Sequence, residues 1–309
     1  MAGAIPTTDE PALDAPDDAD SSAAPPAVRP VAHGPLGPLC RLPGGTEFGT
    51  LVHAVLEGFD PVAAGTDHGI GDLVDHWLTR FPLRDVPRDE LAAGLAAVVA
   101  TPLDRLTAGR SLSGHPIGDR LSELDFDLTL APSGAGAATL GDVAAALADP
   151  SLIGDDPFAA SYARHLSAHP IAGEKLAGFL TGSIDVVLRT GDGRDRFVIL
   201  DYKTNRLPVP PGELLTLEHY HRAAMARAMI EAHYPLQALL YAVALHRYLA
   251  WRLPGYRPEH HLGGVGYLFV RGMNGPDTPV IDGHRCGVFA WEPHHRLIGF
   301  VSDLLGGAR

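Results

Sequence analysis

Hydrophobic positions along the chain follow two kinds of spacing. Apolar residues three and four positions apart are typical of amphipathic helices, whereas alternation or a short continuous apolar run is typical of strands. The helical spacing occurs at residues 44–57, 73–78, 91–99, 140–147, 158–166 and 297–305, and in a long stretch from about 213 to 251 that breaks at Pro235. Helices are therefore expected along most of the chain.

Strand patterns lie between these helical segments. Two apolar runs, at residues 182–189 and 197–203, flank a turn rich in Gly and Asp, and this arrangement predicts a β-hairpin. Because side chains alternate faces along a strand, Asp201 and Lys203 are expected on the same face. Pairing of the two strands would bring Asp185 close to Asp201. Further strand patterns occur at residues 120–130, 263–271 and 288–291.

The predicted hairpin places two carboxylates and one ammonium at one end of a small sheet. Two carboxylates bind a hard divalent cation such as Mg²⁺, and a neighbouring lysine orients or deprotonates a water molecule. Asp and Lys are also ordinary solvated residues at strand ends, and so short a motif matches many unrelated sequences. The hairpin alone therefore leaves both a metal site and a solvated strand end open.

Two of the predicted helices carry polar residues four positions apart. His53 and Glu57 share one face of the segment 44–57, as solvated i,i+4 pairs do. Gln237 and Tyr241 share a face of a largely buried helix, where such residues satisfy hydrogen bonds of the core. The chain contains neither the H-E-x-x-H motif of zinc proteases nor a P-loop, which excludes those two kinds of active site.

The strand pattern at residues 120–130 carries three acids. Glu123, Asp125 and Asp127 alternate with other residues and so share one face of a half-buried strand. Three acids on one face repel one another unless water or a cation neutralises them. A solvated edge strand and a cation site are both open.

Composition and charge limit the classes of protein to which the chain can belong. With 309 residues and 46% hydrophobic content, it can bury a sizeable core. Its net charge of −13 argues against a strongly basic nucleic-acid coat, although net charge is not a map of the surface. Residues 1–32 are rich in Ala, Pro, Asp and Ser, which predicts a disordered tail or linker ahead of one domain at 33–309.

The cysteine content and the absence of targeting segments predict a cytoplasmic protein. Two cysteines, Cys40 and Cys286, fit a reducing compartment and exclude both a disulfide framework and a four-cysteine metal or iron–sulfur site. No apolar run is long enough to cross a membrane, and the first 30 residues lack the pattern of a signal peptide.

In chain order, the polar groups resemble the motifs of the nuclease domain of the RecB family, which belongs to the PD-(D/E)xK superfamily. The resemblance covers about residues 36–305. Its motifs are G-T-x-x-G-x-x-x-H ending at His53, E-x-x-F beginning at Glu123, G-x-I-D ending at Asp185, D-Y-K-x-N at 201–205 and Q-x-x-x-Y at 237–241.

The resemblance implies a fold and a set of site residues. The fold would be α/β, with a restriction-endonuclease-like core in which helices flank a central mixed sheet of about four or five strands. Lys203 would be the catalytic lysine, and Glu123 an additional acid near the metal. Gln237 and Tyr241 would organise the site and approach the DNA backbone. The implied Mg²⁺ ligands are His53, Asp185, Asp201 and the main-chain carbonyl of Tyr202.

The resemblance also implies an activity and partners. The chain would be a Mg²⁺-dependent exodeoxyribonuclease acting in double-strand-break repair and recombination, with DNA, RecC- and RecD-like subunits and a recombinase as partners. The family's helicase region is absent from this sequence, so unwinding is not expected of this chain. With 24 basic against 37 acidic residues, its affinity for DNA is expected to be weak and sensitive to salt.

A second hypothesis is a non-catalytic docking module that recruits a recombinase or the partner subunits. The presence of Asp185, Asp201 and Lys203 together favours the enzyme, because a docking surface has no need of them. Loss of the metal site would abolish cleavage but spare recruitment, so an Asp201→Ala variant distinguishes the two hypotheses.

Overall fold

The structure is a computed structural model that describes residues 33–61, 69–83, 85–132, 137–191 and 195–307. The predicted tail at 1–32 and the tip of the predicted hairpin turn at 192–194 lie outside the described residues. The described residues form an α/β fold around a mixed sheet of five strands. This confirms the predicted fold class.

The central sheet contains both antiparallel and parallel pairs. In spatial order its strands are β1 (Arg120–Thr129), β2 (Phe179–Thr190), β3 (Arg196–Lys203), β4 (Leu262–Phe269) and β7 (Val288–Trp291). Only β3 and β4 run parallel; the other neighbours are antiparallel. The short strands β5 (Val280–Ile281) and β6 (His284–Arg285) form a separate ribbon. The predicted hairpin at 182–203 is therefore confirmed as β2 and β3.

Helices cover both faces of this sheet. They are α1 (Thr46–Glu57), α2 (Gly69–Arg80), α3 (Arg88–Ala100), α4 (Leu140–Ala148), α5 (Pro150–Ile153), α6 (Pro157–Ala168), α7 (Arg222–Glu231), α8 (Tyr234–Arg252), α9 (Pro258–His261) and α10 (His295–Gly306). Val198, Leu200 and Tyr202 of β3 pack with α1 to α3, whereas Ile199 packs with α8 and α10. The alternation along β3 thus separates two hydrophobic cores.

The predicted long helix beginning near residue 213 is wrong at its start. The chain instead forms a short 3₁₀ turn at Leu217–Tyr220, which Thr216 caps through a 2.8 Å hydrogen bond between its hydroxyl and His219 Nδ1. Helix α7 begins only at Arg222. The break between α7 and α8 lies at His233, which has a φ of +55°, and Pro235 lies in the first turn of α8, where proline is tolerated.

Candidate active site

Helix α1 and strands β2 and β3 bring His53, Asp185 and Asp201 together. The last ladder pair of β2 and β3 joins Val186 to Leu200, which places Asp185 opposite Asp201 where the pairing ends. Asp185 Oδ2 accepts the backbone N–H of Tyr202 at 2.8 Å and lies 3.4 Å from His53 Nδ1. The expected approach of Asp185 to Asp201 is therefore seen. Helix α1, which packs on the other face of the sheet, adds the histidine.

Asp201 and Lys203 form a buried ion pair on one face of β3. Their Oδ2 and Nζ atoms are 2.9 Å apart, and their side chains are only 3% and 6% exposed. Burial raises the pKa of Asp201 to about 6, against the lowering effect of Lys203. Burial alone would lower the pKa of Lys203, but the Asp201 carboxylate outweighs it and the pKa is raised.

The His53 and Asp185 side chains are partly exposed and stabilise each other's charged forms. Burial alone would lower the pKa of His53, but the Asp185 carboxylate, 3.4 Å away, raises it. Burial alone would raise the pKa of Asp185, but His53 and the Tyr202 N–H lower it. Each group thus stabilises the charged form of the other, which offsets the loss of hydration on folding.

The donor types of this site suit a hard divalent cation. His53, Asp185 and Asp201 offer one nitrogen and two carboxylates. Asp201 Oδ2 is buried and, although close to Lys203, accepts no hydrogen bond of normal geometry among the described residues. In that same part of the chain, no three His, Cys, Asp or Glu side chains converge closely enough to form a metal cluster. The donor types fit a cation, and binding one would require the three side chains to approach one another more closely.

Glu123 lies across β2 from Asp201, at an irregular point of β1. The pairs Ser122–Val186 and Leu124–Ile184 place it opposite Asp185, and it has a φ of +49°, which is uncommon for a residue other than glycine. The structure therefore brings Glu123 to the edge of the site. Asp125 and Asp127 lie farther along β1 and are exposed, as in the predicted solvated strand.

Glu57 is a further acid at this edge that the sequence did not assign to the site. It lies one helical turn after His53, and its pKa is raised by burial and by its contact with the Glu123 carboxyl. The spacing of four residues from His53 was the available signal, since it puts both side chains on one face of α1. The described site thus extends outward from Asp201 through Asp185 to the pair Glu57 and Glu123.

Gln237 and Tyr241 of α8 belong to a hydrogen-bond chain beside the site. Gln237 Nε2 donates to the Tyr241 hydroxyl at 3.0 Å, and the Tyr267 hydroxyl donates to Gln237 Oε1 at 2.8 Å. Tyr267 lies on β4 and is the register partner of Asp201. The two residues of the Q-x-x-x-Y motif therefore reach the site through Tyr267, a residue that the sequence did not single out.

None of the described helices has the length and apolar character needed to span a membrane.

Comparison with known proteins adds a family assignment. Residues 41–283 match the model of the PD-(D/E)XK nuclease superfamily. The chain is also similar to the "RecBCD enzyme subunit RecB" of Mycolicibacterium smegmatis, with 48% identity over 271 residues, covering 87% of this chain and 24% of the relative.

Two more relatives carry the same name. That of Mycobacterium tuberculosis (strain H37Rv) is 43% identical over 279 residues, covering 88% of this chain and 25% of the relative. That of Escherichia coli (strain K12) is 30% identical over 267 residues, covering 86% and 20%. The chain thus spans about a quarter or less of the length of these relatives.

Proposed function

The chain belongs to the PD-(D/E)XK nuclease superfamily, and on that premise we propose that it is a Mg²⁺-dependent exodeoxyribonuclease that hydrolyses phosphodiester bonds of DNA. The observation that carries this proposal is the buried pair of Asp201 and Lys203 next to the pair of His53 and Asp185. A carboxylate and an ammonium buried to this degree have a high desolvation cost, and such groups are concentrated at functional sites.

In the proposed mechanism, His53, Asp185, Asp201 and the main-chain carbonyl of Tyr202 would hold a Mg²⁺ ion, with Glu123 as an outer acid. When bound, the ion would supply Lewis acidity, which polarises a scissile phosphate and stabilises its developing negative charge. The hydrogen bond from the Tyr202 N–H fixes the Asp185 carboxylate, so this ligand is oriented before the ion arrives.

Lys203 supplies a fixed positive charge in the proposed mechanism. Its ammonium lies 2.9 Å from the carboxylate of Asp201, so a phosphate brought to this carboxylate would lie beside it. From that position it orients the attacking water and interacts with the phosphate oxygens. Gln237 and Tyr241 organise this side of the site and approach the DNA backbone.

The relatives' name also indicates a setting for this activity. Each is named as a subunit of the RecBCD enzyme, and this chain matches only a quarter or less of each. We therefore propose that the nuclease acts on DNA beside RecC- and RecD-like subunits and a recombinase. The formal charge of −13 predicts weak, salt-sensitive binding of DNA by the isolated chain.

Removal and return of Mg²⁺ tests the proposed function. The purified chain, at about 50 mM salt to preserve electrostatic binding, is expected to shorten end-labelled linear DNA with Mg²⁺ and to stop when EDTA is added. Cleavage should return when excess Mg²⁺ is restored. An Asp185→Asn variant should need at least about tenfold more Mg²⁺ for half-maximal cleavage, because one charged ligand is lost.

Closed circular DNA is the matched substrate control, because it has no ends and an exonuclease should leave it intact. Cleavage that persists in EDTA, or a wild-type chain that leaves linear DNA uncut at saturating Mg²⁺, would contradict the proposal.

A further inference from the structure

Two tyrosine rings lie against the ammonium of Lys203. Its Nζ atom is 4.3 Å from the ring centroid of Tyr234 and 5.5 Å from that of Tyr267. The two rings stack on each other, with centroids 5.6 Å apart and planes 18° from parallel. Tyr234 is 5% exposed and Tyr267 is fully buried. The ammonium is therefore enclosed by aromatic faces as well as by Asp201.

We infer that Tyr234 and Tyr267 are positioning residues that hold the Lys203 ammonium at the active site; this inference rests on the proposed function. An ammonium has three hydrogen-bond donors, and the Asp201 oxygen 2.9 Å away can face only one of them. The negative faces of aromatic rings attract a cation, most strongly where water is excluded. The rings thus restrict where the charged end of a flexible side chain lies.

The fold places both rings from different directions. Tyr267 is the register partner of Asp201 on the neighbouring parallel strand, so its side chain stands next to the face that carries Asp201 and Lys203. Tyr234 is the first residue of α8, directly after His233 with its positive φ. The sharp turn at His233 is what lets the first turn of α8 lie over Lys203.

Both rings carry hydroxyls that make hydrogen bonds, and the shorter of these bonds belong to Tyr267. The Tyr267 hydroxyl lies 2.8 Å from Gln237 Oε1 and 3.1 Å from the carbonyl oxygen of Tyr234. The Tyr234 hydroxyl donates to Asn205 Oδ1 at 3.4 Å. Gln237 therefore acts on Lys203 through Tyr267, which gives the Q-x-x-x-Y motif a role in positioning the lysine.

Variants that separate the ring from the hydroxyl test this inference. Tyr234→Leu and Tyr267→Leu remove the aromatic face and are expected to lower kcat for Mg²⁺-dependent cleavage at least about tenfold, with little change in KM, because substrate binding is spared while the lysine is misplaced. Tyr234→Phe keeps the ring and should restore kcat to within about twofold of wild type. Tyr267→Phe keeps the ring but loses the Gln237 bond, so its kcat should lie between those values.

Tyr256→Leu is the control, since this half-buried tyrosine follows the other end of α8 and contacts His246 and His261 rather than a lysine. Its kcat per folded molecule should match that of wild type. Leucine variants of Tyr234 and Tyr267 that remain folded and keep the wild-type kcat would overturn the inference.

A spectroscopic measurement tests the same contact without activity. The chain contains only two lysines, Lys175 and Lys203, and Lys175 is exposed. In protein labelled with ¹³C-lysine, the Hε protons of Lys203 should resonate clearly upfield of those of Lys175, because ring currents shield nuclei above aromatic faces. A Lys175→Arg variant assigns the two signals.

This measurement separates the two proposals and does not depend on a folded leucine variant. Coincident Lys203 and Lys175 signals in the wild-type chain would overturn the inference, whatever the nuclease activity. An upfield Lys203 signal in a chain that cuts no DNA would support the tyrosine contact and contradict the proposed function instead.

Discussion

Replacing Lys203 by methionine is expected to lower the rate of DNA cleavage about 10²- to 10³-fold at saturating Mg²⁺. Methionine retains an unbranched apolar chain but removes the charge that lies 2.9 Å from Asp201. The loss is large because the site is buried, where a fixed charge acts with little screening by water. Single-turnover cleavage of end-labelled linear DNA measures the effect on the chemical step.

The matched control for this variant is Lys175→Met, which changes the only other lysine of the chain, an exposed one. It should cut DNA at the wild-type rate. A Lys203→Met variant that remains folded and cuts within about twofold of wild type would show that Lys203 has no catalytic role.

Replacing Arg271 by methionine is expected to reduce the free energy of unfolding by about 3–5 kcal/mol. Arg271 is fully buried, and its guanidinium donates to the carbonyl oxygens of Thr204 at 2.7 Å, Leu39 at 2.7 Å and Leu42 at 2.8 Å. It therefore joins the residue after Lys203 to the segment that leads into α1, the helix of His53. Its loss leaves several buried carbonyls without their partner.

Arg206→Met is the matched control, because Arg206 donates to the carbonyls of Cys40 and Leu42 in the same segment but is exposed. This variant should reduce the free energy of unfolding by about 1 kcal/mol. Urea unfolding followed by tryptophan fluorescence measures both variants. Equal costs for the two variants would contradict the role given to the buried arginine.

Local pattern was sufficient to predict the central hairpin. The two apolar runs form β2 and β3 because the side chains of each strand pack into the hydrophobic cores on both faces of the sheet. Alternation along β3 correctly placed Asp201 and Lys203 together, with Tyr202 on the opposite face. The approach of Asp185 to Asp201 then followed from antiparallel pairing.

Contacts between distant elements could not be read from the sequence. Nothing local indicates that β3 and β4 pair in parallel, yet this pairing puts Tyr267 beside Asp201. The position of Tyr234 was likewise not predictable, because it depends on the turn at His233. Arg271 was not predictable either, because one of its partners, Leu39, lies more than 200 residues away and another, Thr204, directly follows β3. Glu57 was visible as a neighbour of His53, but its contact with Glu123 required the position of β1.

The predicted helix near residue 213 failed for a local reason that competes with helix propensity. The Thr216 side chain caps a separate short turn, and His221 is extended before α7 begins. Hydrogen bonds from such a cap stop a continuous helix even where the apolar spacing permits one.

The position of a bound divalent ion is the most direct test of the proposed metal site. Crystals of the chain soaked in Mn²⁺, which has an anomalous signal that Mg²⁺ lacks, should show one dominant peak between the carboxylates of Asp185 and Asp201. The account predicts the ion about 2.0–2.3 Å from these oxygens and from a ring nitrogen of His53. No peak at saturating Mn²⁺, or a peak only beside Glu57 and Glu123, would contradict it.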